Sequence, residues 1–125
     1  MADTTVNPDL DLSFLFEIAD GSNEFIIESI DMFLQQTPDL LKAISEAIDG
    51  SQWAPAASAA HKLKPNLGFF GMLGCQSAMQ EIELMAKTGA PDPLEISAKF
   101  SQVKQVIDAN LTKLVQIKAE KESEL

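Results

Sequence analysis

The chain has 125 residues, 46% of them hydrophobic, and a net charge of −10; all nine basic residues are lysines. That length suits one domain with a modest core, and that composition excludes a disordered chain. The charge excludes a nucleic-acid binder, which needs a basic stripe, and predicts repulsion from anionic membranes.

The first residues, "MADTTVNPDLDLS", are acidic and polar. They lack the basic and apolar regions of a signal peptide. In "NPDLDLSFLFEIAD", Phe14, Leu15 and Ile18 have helical spacing, and Gly21 ends this short helix. Ser22 or Asn23 can cap "NEFIIESIDMFLQQ", whose stripe is Phe25/Ile26, Ile30 and Phe33/Leu34. "TPDLLKAISEAIDG" reads as a Thr37 cap, Pro38 at the first helical position and Gly50 as terminator. It is either a separate helix or a kinked continuation, with Leu40, Leu41, Ile44 and Ile48 inward.

"SQWAPAASAAHKLKPNLGFFG" comes next, with Ser51 as cap, Trp53 as packing anchor and Pro55 in the first turn. Gly71 and Gly74 bracket a tight turn. "CQSAMQEIELMAKTG" follows, with Ala78, Ile82 and Met85 periodic and Gly89 as its stop. Cys75 is the only cysteine and reads as a small core residue. One cysteine permits neither an internal disulfide nor a cysteine-based zinc site, and fits a reducing, cytoplasmic setting. The last helix starts with Asp92 as cap, Pro93 first and Glu95 third, a capping box. It turns Leu94, Phe100, Val103, Ile107, Leu111, Leu114 and Ile117 inward.

No run approaches the ~18 apolar residues of a membrane span. Short connections imply antiparallel neighbours. The expected fold is therefore all-α: an antiparallel up-and-down four-helix bundle with a short additional N-terminal helix. Residues 1–125 form one domain, and residues 1–8 and 119–125 are expected to fray. One bundle uses up the apolar stripes, which predicts a monomer. The termini look free, which leans toward a stand-alone protein or a complete module.

His61 is the only histidine. On its helix Ala56, Ala60, Leu63, Leu67 and Phe70 follow a 4-3-4-3 spacing, which is the core stripe. His61 lies off that stripe, on a face with Ala57, Lys64 and Gly68. It is expected to project toward solvent, and the small residues on its line let another protein approach. A neutral imidazole is a nucleophile, and a histidine near its ordinary value of roughly 6.5 is mostly neutral at pH 7. Lys62 and Lys64 disfavour the imidazolium, and Lys64 can screen a phosphoryl group on the ring. The competing reading is a surface histidine with no role. A metal site lacks further ligands, having no second histidine and no cysteine pair.

Pro65 cannot donate to the His61 carbonyl, which predicts a bend there. The bend either aims the ring outward or is absorbed by packing. If the chain reverses near residues 71–73, His61 faces position 83 or thereabouts. Gln80 and Glu83 are then the candidates to orient the ring. A carboxylate on one ring nitrogen fixes the tautomer and leaves the other nitrogen as nucleophile. A solvated helix face is the alternative for Glu83. Asp49 and Glu81 are consecutive acids, so residues 50–80 hold none, where composition leads one to expect about five. Either a buried hairpin simply carries few charges, or an anion is accepted there.

The string "AHKLKPNLGFFG" resembles the signature of histidine-containing phosphotransfer (HPt) domains: Ala-His-x-Leu-Lys, a small residue, and a glycine ten positions after the histidine. Ala60, His61, Leu63, Lys64 and Gly71 match. The downstream "EIE" and the length of the helical bundle are similar too, so the resemblance covers nearly the whole chain. It implies a phosphorelay carrier, with His61 as phospho-acceptor, Lys64 assisting the phosphoryl group and Glu83 hydrogen-bonding the ring. Gly71 permits the turn. Pro65 departs from the glycine that many members carry, and so alters the docking surface. The implied partners are a response-regulator receiver domain and a sensor histidine kinase, with Mg²⁺ on the receiver and no cofactor on this chain. Docking then uses Ala57, Lys62, Pro65, Gly68 and Phe69, although Phe69 is equally a core contact.

There is no Gly-rich nucleotide loop and no kinase motif, so an ATP site of its own is not expected. The alternative is a docking module that binds a receiver or kinase without taking phosphoryl, against which both His61 and Lys64 speak. An enzyme using His61 as general base lacks a nucleophile and an oriented acid.

Overall fold

A computed structural model describes residues 9–125. The expectation that residues 1–8 fray falls outside them. Five helices follow in order: α1 (Ser13–Ala19), α2 (Asn23–Asp49), α3 (Trp53–Phe69), α4 (Leu73–Lys87) and α5 (Pro93–Ser123). The described residues contain no strand. α2 packs on α3 and α5, and α4 packs on the same two, which closes a four-helix ring; α1 lies against α2. The connections 50–52, 70–72 and 88–92 are short, so successive helices run antiparallel. This is the expected up-and-down bundle with its added short helix. No helix among the described residues is long and apolar enough to cross a membrane.

The core runs along the bundle axis through Ile30, Phe33, Ile44, Leu63, Met79 and Ile107. Each such side chain contributes about 1.5–3 kcal/mol when fully buried. Ser22 caps α2 by accepting from the Phe25 amide at 3.1 Å, and Asp92 caps α5 by accepting from Leu94 and Glu95.

Several local expectations are corrected. Of the two readings of Thr37-Pro38 the restart fails and the continuation holds: α2 runs through Pro38 as one helix of 27 residues. Phe33, Thr37, Leu41, Ile44 and Ile48 form one unbroken buried stripe, and that burial outweighs the backbone bond Pro38 cannot make. Gln52, not Ser51, is the N-cap of α3, because Ser51 takes a left-handed φ of 53° in the preceding turn. Leu94 is exposed; Ile96 takes the core position at the start of α5. In α1 only Leu15 and Ala19 are buried, while Phe14 and Ile18 face outward. Residues 119–123 continue α5. Lys118 pairs with Asp31 at 3.0 Å, Glu124 accepts from the Asn23 amide group at 3.0 Å, and the Lys121 ammonium lies 5.1 Å from the Phe16 ring centroid.

The amino end of α4 has no local side-chain cap. Asp9 supplies one from afar: its carboxylate accepts from the amides of Gly74 at 2.8 Å and Cys75 at 2.7 Å. The Asp9 carbonyl in turn accepts from the side chain of buried Asn110 at 3.0 Å.

Candidate functional site

The site is built on the α3–α4 hairpin. Gly71 turns the chain with φ +70°, a left-handed value that favours glycine. A Cβ there would overlap the backbone of Asp11, which lies across the turn. The reversal sets the register: Gln76 meets Gly68, Gln80 meets Lys64, and Glu83 meets His61.

His61 projects from α3 with its side chain 69% exposed. Its Nδ1 lies 3.0 Å from Glu83 Oε2. Glu83 itself is buried, at 2% exposure, so the solvated-face alternative does not hold. The Lys64 ammonium is 2.6 Å from Glu83 Oε1, and the Lys87 ammonium, one turn along α4, is 3.0 Å from Oε2. The hydrogen bond from Lys64, opposed by burial and reinforced by Lys87, holds the Glu83 carboxyl down at about 2. An ionised carboxylate can only accept, so the His61 contact requires the proton on Nδ1. In the neutral ring the Nε2 lone pair is then free, on the side away from the carboxylate.

His61 forms a ridge between two open grooves. One, of about 530 Å³, is lined by Trp53, Ala57, Ser58, Ala86 and Lys87. The other, of about 670 Å³, is lined by Lys64, Pro65, Gln76, Ser77, Gln80 and Glu81.

Three of the sequence candidates sit differently from expectation. Gln80 does not reach the ring; its side-chain oxygen accepts from the Lys64 ammonium, which also sits on Glu83 Oε1. Ala57 is buried rather than part of an exposed line, because α3 turns it toward α4, where it floors the first groove. Gly68 is covered by the Gln76 side chain, which reaches over it to donate to the Lys64 carbonyl at 3.2 Å. α3 continues through Pro65 to Phe69, and Pro65 is exposed beside the second groove. Lys62 is exposed. Phe69 is half-buried, edge-on to Phe14 at 5.5 Å and to Phe70 at 5.4 Å. Trp53 is partly buried against the core, and Cys75 is buried, its thiol pushed up to about 12 by burial and by Asp9. Sequence reasoning missed Lys87, although its spacing of four from Glu83 is the signal for a same-face ion pair on a helix.

The family model for the Hpt domain matches residues 28–116, from the second turn of α2 to the last third of α5. No match was found among curated proteins or among solved structures. Because the family match takes in all four bundle helices and both halves of the hairpin around His61, the chain belongs to the Hpt domain family, whose members are phosphotransfer modules of two-component signalling.

Proposed function

We propose that the chain is a phosphorelay carrier that takes a phosphoryl group on His61 Nε2 and exchanges it with the aspartate of a response-regulator receiver domain, a sensor histidine kinase being a further partner. The observation that carries this reading is the exposed ring whose Nδ1 faces an ionised, buried Glu83. The Nε2 lone pair attacks phosphorus, and the bond to the aspartate oxygen breaks with its electron pair returning to the carboxylate. Nδ1 keeps its proton, so the ring becomes cationic and its contact with Glu83 strengthens. The receiver supplies Mg²⁺. Lys64 offsets phosphoryl charge through its field. Lys62, Pro65 and Phe69 surround the ring as docking surface, and the chain acts as a monomer. A single buried thiol fits work in the cytoplasm.

The test is transfer from a phosphorylated receiver domain to the wild type and to His61→Gln, followed by intact mass and acid lability. An acid-labile phosphoryl group on the wild type and none on the variant is the expected result. Binding without transfer to any of several receivers would replace this reading with the docking module.

A further inference from the structure

The two lysines on Glu83 are not equivalent. Lys64 is 18% exposed, sits on Oε1 and is also held by the Gln80 side chain. Lys87 is 59% exposed and touches Oε2, the same oxygen that receives His61 Nδ1. Its ammonium and the ring are therefore no more than two hydrogen-bond lengths apart. It also lines the groove on the Trp53 side of the ring, together with Ser58 one turn before His61.

From this we propose that Lys87, rather than Lys64, makes the direct contact to the phosphoryl group, by moving from Glu83 Oε2 to a phosphoryl oxygen when His61 is phosphorylated. The inference rests on the phosphocarrier reading above. With the ring neutral, Oε2 accommodates the ring N–H and one ammonium. Phosphorylation at Nε2 makes the ring cationic while Nδ1 keeps its proton. Oε2 then faces two cations side by side, which repel each other. A doubly charged anion appears on the same ring at the same moment, and the exposed lysine is free to swing toward it. Both changes drive Lys87 off the carboxylate and onto the phosphoryl group. Lys64 has no such incentive: its oxygen is not shared with the ring, and leaving it would strip a buried carboxylate of its closest counter-charge. Glu83 thus stays ionised and in place throughout, held by Lys64 and the imidazolium, while Lys87 is released to the product. No bond other than those of the transfer itself is made or broken.

The test compares wild type, Lys87→Met and Lys87→Arg, using phosphoramidate as a small phosphodonor so that receiver docking plays no part. Mass spectrometry follows the rate, and ³¹P NMR follows the phosphohistidine signal against pH. Far-UV circular dichroism and melting check that the variants fold. The expected result is phosphorylation of Lys87→Met slowed by about tenfold, the effect of one charge-assisted contact. Its ³¹P titration should also move up by about half a unit, because a cation beside the phosphoryl group favours the more ionised form. Lys87→Arg should restore most of both. A purely structural lysine would leave the ³¹P titration where it is. Equal rates and equal titrations in wild type and Lys87→Met overturn the inference and leave the carrier reading intact. A wild type that takes no phosphoryl from phosphoramidate or from any receiver overturns both.

Discussion

A carboxylate shut away from water ordinarily gives up its charge, because burial favours the protonated form. Glu83 keeps its charge because Lys64 and Lys87 approach it from two sides and the ring N–H occupies the remaining direction. Its carboxyl therefore lies at about 2 in the fold, against an ordinary 4.5. A depressed value contributes stability that is fully present above the unfolded value and is lost as pH falls through the folded one. Glu83→Gln should thus cost about 1–2 kcal/mol near pH 7, discounted for screening on the exposed Lys87 side. The gap between variant and wild type in urea unfolding should close as pH drops from about 4.5 toward 2. The same substitution replaces an acceptor-only carboxylate by an amide that can also donate, so ¹⁵N NMR of His61 should show the Nδ1–H form losing its dominance.

Among the turns, glycines with the same backbone sign do different jobs. Gly71 has φ +70° and the Asp11 backbone pressed against it, whereas Gly89 has φ +83° and open space around it. Gly89→Ala should cost about 1 kcal/mol, the penalty of a left-handed alanine. Gly71→Ala adds a backbone clash and should cost about 3 kcal/mol or more. Thermal melts of the two variants side by side separate conformation from contact. Gly71 also shows why the hairpin was legible from the sequence: a turn glycine at a known place, plus counting along two helices, put Glu83 opposite His61. Where only local signals counted, reading failed. Thr37-Pro38 has the form of a helix start, and the apolar spacing from Ile30 and Phe33 to Leu41, Ile44 and Ile48 left a restart and a continuation both open until their common burial decided it. Leu94 is apolar, yet the 3.6-residue period puts it on the face opposite Ile96, Val103 and Ile107, so here the period was misread. Gln80 and Glu83 lie one turn apart, and only the contacts in the fold decide between them: Gln80 takes the Lys64 ammonium, and Glu83 takes the ring. The Lys87 contact, by contrast, was readable from its spacing alone.

At the scale of the whole molecule, the family match leaves out α1, the first turn of α2 and the last residues of α5. These parts meet one another through Asn23 and Glu124 and through Phe16 and Lys121, and Lys118 reaches Asp31, just inside the match. They close one end of the bundle. Removing residues 117–125 takes away partly buried Ile117 and these contacts. The shortened chain should stay helical and lose about 2 kcal/mol, lowering its melting temperature by about 5–10 °C. Phosphorylation of His61 should persist in it, since the site lies on α3 and α4.

The Asp9 cap on α4 spans 65 residues of chain between its carboxylate and the Gly74 amide. Joining such distant points costs closure entropy that grows with the logarithm of the separation, so contacts of this kind are favoured only once others have drawn the ends together. During folding, the amino end of the Glu83 helix is thus completed late, after α2 and α3 have been threaded between the two partners. A nascent or partly unfolded chain can form the hairpin, and with it the pairing of His61 and Glu83, without that final tie, so the Asp9 contact rather than the phosphoryl site reports that the entire bundle has closed.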